Sequence, residues 1–181
     1  MGPLPNIDNL TALESLDVSG NKITGYIPSD VGLLTKLREL IVVSTHLEGT
    51  IPEELYNLSN LQDVSLSRSN LTGTISSKIG QLTQLVTLML DGNSFFGVLP
   101  TELGRLSSLI HVQLQDNAFV GTIPDSVCKL KGPNTLTVLI ADCTTLSSGD
   151  ITNAWKGPLI SCPKECCSNC CDPETRICFP N

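Results

Sequence analysis

Aliphatic residues recur at a fixed spacing along most of this chain. Five glycines mark the same spacing, each 24 residues after the last: Gly25, Gly49, Gly73, Gly97 and Gly121. In the unit that contains Gly25 the aliphatic positions before the glycine are Leu13, Leu16 and Val18, and the next four units repeat them. A period of this length is typical of proteins built from stacked coils, in which each coil buries the apolar side of its neighbour.

Each unit has two halves with different patterns. The first half alternates apolar and polar residues, as from Leu16 to Val18, which predicts a short strand with one buried face. The second half has the form I-P-x-x-L-G-x-L, and its proline suits the start of a 3₁₀ or helical turn, where a missing N–H costs nothing. Because the units are in register, the strands stack in parallel about 4.8 Å apart. The pattern predicts an α/β repeat solenoid with its strands on the inner side.

The full 24-residue unit is L-x-x-L-x-L-x-x-N-x-L-x-G-x-I-P-x-x-L-G-x-L-x-x. Its L-x-G-x-I-P signature resembles the plant-type class of leucine-rich repeats, which is found in receptor ectodomains and secreted inhibitors. The resemblance covers residues 13 to about 132. It implies a right-handed superhelix with parallel strands on the concave face and 3₁₀ or helical turns on the convex face. It also implies a second small sheet at the glycine segment and an inward ladder of Asn side chains that bonds the backbone of adjacent coils.

Two recurring positions are therefore interpreted as scaffold. A side chain at Gly25 or its equivalents would crowd the neighbouring coil or forbid the backbone angles of the turn. The ladder position reads Asn21, Thr45, Ser69, Asn93 and Asn117. Because Thr45 and Ser69 offer a hydroxyl in place of an amide, we expect a looser ladder in the second and third coils.

The repeat frame divides the chain into an array and a tail. The array comprises a half coil at residues 2–12, five repeats at 13–132 and a final strand at 136–143, which follows at an offset of 27 residues in place of 24. Residues 144–181 form a cysteine-rich segment that we expect to cap the last coil. Since the chain begins in mid-repeat, we expect a longer array that continues N-terminally, and self-association through the uncapped first coil.

The cysteines all lie after residue 127, outside the regular repeats. They are Cys128, Cys143, Cys162, Cys166, Cys167, Cys170, Cys171 and Cys178. An even number fits four disulfides and an oxidising compartment, with adjacent cysteines bonded elsewhere and not to each other. The alternative is a thiolate-rich metal site. This end of the chain resembles the ends of leucine-rich repeat proteins from microalgae.

The polar positions of the strands point away from the core and form the candidate binding surface. Its centre is an apolar patch of Ile41, Val43 and Met89, and exposed aliphatic residues ringed by polar groups often mark interfaces. The alternative is that Ile and Val simply favour strands. The candidate ligand-binding residues are Glu39, Ile41, Val43, Asp63, Ser65, Thr87, Met89, Asp91, His111, Gln113 and Gln115.

Two further surface features recur with the repeat. The residues directly after the glycines are Tyr26, Thr50, Thr74, Val98 and Thr122. Threonine rows at solenoid spacing can match ice, although Thr also favours strands on its own account. Three N-x-[ST] sequons, at Asn9, Asn57 and Asn70, are candidate glycosylation sites in a secreted protein, or are simply part of the repeat consensus.

Composition excludes several other functions. The net charge of −7 leaves no basic stripe for nucleic acid, and no apolar run is long enough to span a membrane. His46 and His111 fall at non-equivalent repeat positions, so they predict no catalytic constellation, and no phosphate-binding glycine motif occurs. We expect no catalytic residue, no cofactor and no metal.

The expected function is therefore that of a non-enzymatic module. We expect it to bind a protein, peptide or glycan ligand on the concave face, as part of an extracellular or cell-surface, receptor-like protein. The alternatives are a secreted enzyme inhibitor, a structural surface spacer and an ice-binding protein that uses the Thr row.

Overall fold

The computed structural model describes residues 2–132, 136–142, 160–161, 166–171 and 178–180. Six parallel strands, one from each coil, form the concave sheet. They are β1 (Ser15–Asp17), β3 (Glu39–Ile41), β5 (Asp63–Ser65), β7 (Thr87–Met89), β9 (His111–Gln113) and β12 (Val138–Asp142). Neighbouring strands pair without any slip, so that Leu40 lies beside Leu16 on one side and Val64 on the other.

A continuous series of backbone hydrogen bonds joins one coil to the next. The N–H of Arg38 donates to the carbonyl of Glu14, and Gln62 donates to Arg38 in the same way. The series continues at Val86, Ile110 and Thr137, with N···O distances of 2.7–3.0 Å throughout. Thr137 follows Ile110 by 27 residues, so the insertion before the sixth coil leaves the stacking intact.

The core is a single column of mostly aliphatic side chains enclosed by the coils, with the rings of Tyr56 and Phe95 fully buried among them. In the second coil Leu37, Leu40 and Val42 are 0–1% exposed, and the same positions are buried in the third, fourth and fifth coils. At the first coil Leu13, Leu16 and Val18 are only partly buried. Leu88 is 1% exposed whereas its neighbour Met89 is half-buried on the opposite side, so the predicted alternation of inward and outward residues is confirmed.

A second, five-stranded sheet runs beside the first and forms the lateral face. Its strands are β2 (Thr24–Tyr26), β4 (His46–Gly49), β6 (Asn70–Gly73), β8 (Ser94–Gly97) and β10 (Ala118–Phe119). The first four repeated glycines lie in these strands and Gly121 lies two residues after β10, all with φ between 79° and 93°. A Cβ at Gly73 would lie 2.7 Å from Cγ2 of Thr50 in the preceding coil. Both parts of the predicted role of the glycine, backbone angle and close approach, are present.

The convex face consists of short helices. Four 3₁₀ helices span Ser29–Leu33, Glu53–Asn57, Ser77–Gln81 and Thr101–Arg105, and α1 spans Asp125–Cys128. Pro28 and its equivalents stand at the N-cap, except in the third coil, where Ser76 accepts a hydrogen bond from the N–H of Lys78. Parallel strands in two sheets with 3₁₀ turns opposite them confirm the predicted repeat solenoid.

The ladder of polar side chains differs between coils as its sequence predicts. The amide of Asn93 donates to the carbonyls of Leu66 and Leu90 at 2.7 and 3.0 Å, and its oxygen accepts from Leu71 N–H. In the second and third coils the hydroxyls of Thr45 and Ser69 lie 3.0 Å apart, and Ser69 Oγ reaches the carbonyl of Val42 only at 3.4 Å. The shorter side chains of Thr45 and Ser69 thus form a hydrogen bond with each other, and their hydrogen bonds to the backbone are longer than those that Asn93 donates to Leu66 and Leu90.

Parts of the cysteine-rich segment lie against the last coils. A disulfide joins Cys128 to Cys166, and Cys167 is disulfide-bonded as well. Strand β13 (Ile160–Ser161) pairs with β11 (Gly121–Thr122) in a separate two-stranded sheet, and β14 (Asn169–Cys171) extends the concave sheet beside β12. The last strand, β15 (Cys178–Pro180), is antiparallel to β14. Cys143, Cys162 and the side chains of Cys170, Cys171 and Cys178 lie outside the described residues, so the cap as a whole stays a prediction.

The close approach at the glycines leads to a test of stability. Gly73→Ala combines a positive φ with the contact to Thr50, whereas Gly20→Ala has a φ of 67° and open space around the new methyl group. We expect Gly20→Ala to cost about 1–2 kcal/mol from backbone strain alone and Gly73→Ala to cost more. Urea unfolding of both variants, and of Gly73→Ala with Thr50→Ser, measures the difference. Equal costs, with no recovery in the double variant, would show that the contact contributes nothing.

Candidate functional site

The outward side chains of the concave sheet form a regular grid with three residues from each coil. The parallel register places residues of neighbouring strands side by side, as in Ile41, Ser65 and Met89. All eleven candidate ligand-binding residues lie on this grid. They are in the concave strands β3, β5, β7 and β9 or two residues beyond them. The structure therefore places on one surface the residues that the sequence selected.

The third coil forms a notch in this grid. Its outward residues at the C-terminal end of β5 and two residues beyond it are Ser65 and Ser67, which are only 6% and 5% exposed. The larger side chains of Ile41 and Val43 stand on one side of them, and Met89 and Asp91 stand on the other. We call this feature, with Ser65 and Ser67 as its floor, the coil-three notch. Its walls belong to strands β3 and β7, whose backbones are two strand spacings, or about 10 Å, apart.

Two carboxylates lie side by side at one end of the coil-three notch. Glu39 and Asp63 are direct partners in the register of β3 and β5, where like charges are unfavourable. Ser15 Oγ donates to Glu39 Oε2 at 2.8 Å, and Ser65 Oγ donates to Asp63 Oδ1 at 2.6 Å. Partial burial raises the pKa of Asp63 and the charge of Glu39 adds to the rise, while the hydrogen bond from Ser65 opposes it.

The other end of the coil-three notch carries a carboxylate that already has partners. Asp91 is 7% exposed and accepts a short hydrogen bond from Ser67 Oγ. Its second oxygen lies 3.8 Å from Nε of Arg68. Arg68 was not among the candidate residues, and it lies just beyond β5 with a φ of 54°. The 24-residue repeat did mark this position in the sequence, because Gly20 and Gly92 occupy the equivalent positions. Both have positive φ angles similar to that of Arg68.

A polar pocket opens beside Arg68, where the concave strands turn toward the lateral sheet. It is lined by Arg68, Ser69, Asp91, Gly92, Asn93, Ser94, Gln115 and Asp116. Two oxygens near this edge, Gln115 Oε1 and Asp142 Oδ1, are buried without a hydrogen-bond partner among the described residues. Burial raises the pKa of Asp142, although the backbone N–H groups of Asp116 and Asn117 oppose the rise.

The lateral face presents the predicted row of residues to solvent. Thr50, Thr74 and Thr122 are exposed, as are Tyr26 and Val98 at 64% and 65%. The first four residues of the row each lie close to the glycine of the following coil, so the row follows the stacking of the backbone. Phe96 adds an exposed aromatic ring to the same sheet at its C-terminal half.

The remaining candidate groups are dispersed. All three sequon asparagines are exposed, with Asn57 at the end of a convex 3₁₀ helix and Asn70 at the start of β6. His46 lies in the lateral sheet and His111 in the concave sheet, so the structure does not bring the histidines together. Within the described ranges no cluster of three metal-ligating side chains occurs, and no helix is long and apolar enough to cross a membrane.

A comparison with family models agrees with this architecture. The model described as Leucine Rich Repeat matches residues 12–34 and 84–106. No curated protein sequence is similar enough to the chain to count as a match.

Solved structures of plant proteins share the fold. The ectodomain of the membrane receptor kinase GASSHO1/SCHENGEN3 from Arabidopsis thaliana, solved with CASPARIAN STRIP INTEGRITY FACTOR 2, is 35% identical with a TM-score of 0.70. The match covers 71% of this chain but 16% of that one. The plant peptide hormone receptor RGFR1, solved with RGF2, is 33% identical with a TM-score of 0.73, over 91% of this chain and 28% of the receptor.

A plant ice-binding protein is also similar, with 26% identity and a TM-score of 0.68 over 78% of this chain and 44% of that protein. The repeat frame, the two sheets and these likenesses define a leucine-rich repeat solenoid. The chain is a leucine-rich repeat protein of the plant type. It spans less than half of the length of each of these three relatives.

The raised pKa of Asp63 leads to a prediction about pH. The ionised carboxylate is less favourable in the folded chain than in the unfolded one, so this group costs stability as the pH rises from about 4 through its folded pKa. We therefore expect Asp63→Asn to become more stable, relative to the unmodified protein, as the pH rises. Urea unfolding between pH 3.5 and about 7 measures the difference, in which the carboxyl groups that do not interact with Asp63 cancel.

Asp17 on the same face provides a control of opposite sign. Hydrogen bonds from the backbone N–H and the side chain of Ser19 lower the pKa of Asp17, so its ionised form favours folding and that contribution is lost as the pH falls. Asp17→Asn should lose relative stability as the pH rises. A common pH trend for the two variants would contradict the assignment.

Proposed function

We propose that this chain is a ligand-binding module that holds a peptide or protein segment on its concave face. One observation carries the proposal: Ile41, Val43 and Met89 stand half-buried on an open sheet whose described part has no covering element. Apolar residues within a polar rim are typical of binding surfaces. The receptor ectodomains with which the chain aligns include two solved with a second component, CASPARIAN STRIP INTEGRITY FACTOR 2 and RGF2.

We further propose an extracellular or cell-surface location and a receptor-like role. The disulfide between Cys128 and Cys166 fits an oxidising compartment, and the likeness to ectodomains of plant receptors supports the same location. Exposed sequons at Asn9, Asn57 and Asn70 are available for glycosylation there. A secreted inhibitor or a structural spacer would share these features. Either would differ from the proposed module in whether the concave face binds a peptide.

Selection of peptides from a random display library tests the binding surface directly. Peptides selected on the unmodified protein should bind Met89→Asp about tenfold more weakly or worse, since a charge then occupies the apolar wall. The exposed convex variant Thr101→Asp should bind them unchanged. Leu88→Ala should instead cost about 2–5 kcal/mol of stability by opening a cavity in the core. Selected peptides that are indifferent to Met89→Asp would refute concave-face binding.

Ice binding is a second candidate function, favoured by the exposed lateral row and by the likeness to a plant ice-binding protein. A regular row of hydroxyl and methyl groups on rigid backbone is the feature that would order water at an ice surface. In this chain Tyr26 and Val98 interrupt the threonines, which is why the concave proposal is preferred.

A growth assay on single ice crystals distinguishes the two functions. If the lateral row binds ice, the purified protein will shape the crystals and lower their growth temperature, and Thr74→Lys will abolish the effect while Met89→Asp leaves it intact. We expect no shaping by the unmodified protein. If the unmodified protein shapes the crystals and Thr74→Lys removes that effect, the expectation is wrong. Ice binding would then be preferred to concave-face binding as the main function.

A further inference from the structure

The charges of the concave grid are of one sign. Its outward positions in the described strands, and two residues beyond them, carry Asp17, Glu39, Asp63, Asp91 and Asp142 but no lysine or arginine. The described ion pairs join Arg38 to Glu14, Lys78 to Glu53 and Arg68 to Asp91. Asp91 therefore has a cationic partner from the chain itself, whereas no described ion pair involves Glu39 or Asp63.

The two ends of the coil-three notch differ in charge balance. At the C-terminal end a guanidinium approaches Asp91 from Arg68. At the N-terminal end Glu39 and Asp63 face each other with only serine hydroxyls as hydrogen-bond donors. Their like charges are unfavourable in the free protein, and a cation between them would relieve the repulsion.

The space between these ends suits a long side chain with an apolar stem. Ile41 and Met89 stand on either side of Ser65, whose small side chain leaves the floor low. Lysine and arginine bury their methylene stems against apolar surface while their charged heads reach polar groups. An arginine head can also bond two carboxylates at once, because its donors form a planar fork.

We propose that the coil-three notch holds an arginine or lysine side chain of a bound peptide, with its stem between Ile41 and Met89 and its cation between Glu39 and Asp63. This inference rests on the proposed function and names the ligand chemistry of the same surface: a peptide with a basic residue. A neutral or acidic residue at that position of the peptide would leave the like-charge pair uncompensated.

The probe is acetyl-Leu-Arg-Gly-amide, titrated into the full ¹⁵N-labelled chain and followed by amide chemical shifts. Its matched control is the same peptide with citrulline, which has the shape of arginine but no charge. The expected shifts fall at residues 39–41, 63–65 and 87–89. The arginine peptide should bind about fivefold more tightly than the citrulline peptide, an advantage of the size that an ion pair near a surface gives.

Three variants assign the effect to the notch. Asp63→Asn should remove the advantage of arginine over citrulline, while Asp125→Asn on the convex helix should keep it. Ser65→Val retains both carboxylates but raises the floor between the walls, so it should weaken both peptides. Circular dichroism and thermal unfolding check that each variant folds, and Ser65→Val still tests the notch if Asp63→Asn does not fold.

The outcomes separate this inference from the proposed function. Equal shifts of the notch residues by both peptides would refute the preference for a basic side chain while leaving concave-face binding intact. Shifts elsewhere, no shifts, or an arginine advantage that survives Asp63→Asn would also overturn the inference. In each of these cases the display experiment with Met89→Asp still decides whether the concave face binds peptides at all.

Discussion

Each coil of this protein pairs the backbone N–H and carbonyl groups of the coil beside it. This one constraint determines most of what the sequence must repeat. The series of hydrogen bonds from Arg38 to Thr137 requires every strand to sit in the same register. That register places each aliphatic side chain over its equivalent and brings Thr50 against Gly73. A residue that broke the register would leave buried N–H and carbonyl groups unpaired in two coils at once.

The constraint explains why the fold was predictable from the sequence. Period and alternation alone identify the buried face, so Leu88 and Met89 fall on opposite sides as expected. The candidate surface was predictable to the same extent, since outward positions follow from inward ones. What the pattern lacks is the detail of side-chain pairing. Arg68 occupies a turn position whose equivalents are Gly20 and Gly92, and its approach to Asp91 depends on a rotamer that no repeat specifies.

The mutual bond of Thr45 and Ser69 was unpredictable for a related reason. The sequence indicated that two hydroxyls replace two amides, and hence that the ladder loosens, but short side chains on adjacent coils can bond backbone, water or each other. The stacking distance brings these two hydroxyls within 3.0 Å, which favours the third arrangement. The burial of Ser65 also depends on its neighbours, because Ile41 and Met89 rise above it.

These departures meet in the third coil. Its serines occupy the concave positions at Ser65 and Ser67 and the ladder position at Ser69, so the coil that forms the notch is also held less closely by its ladder. Stacking demands aliphatic residues at Leu61, Val64 and Leu66, and the chain supplies them there without exception. Selection for a stable solenoid therefore accounts for the inward half of the coil but not for Ser65, Ser67 and the unneutralised pair that Asp63 forms with Glu39 of the second coil. Departures from a consistent repeat pattern are expected at functional positions, and a bound partner is the explanation that we propose for these residues.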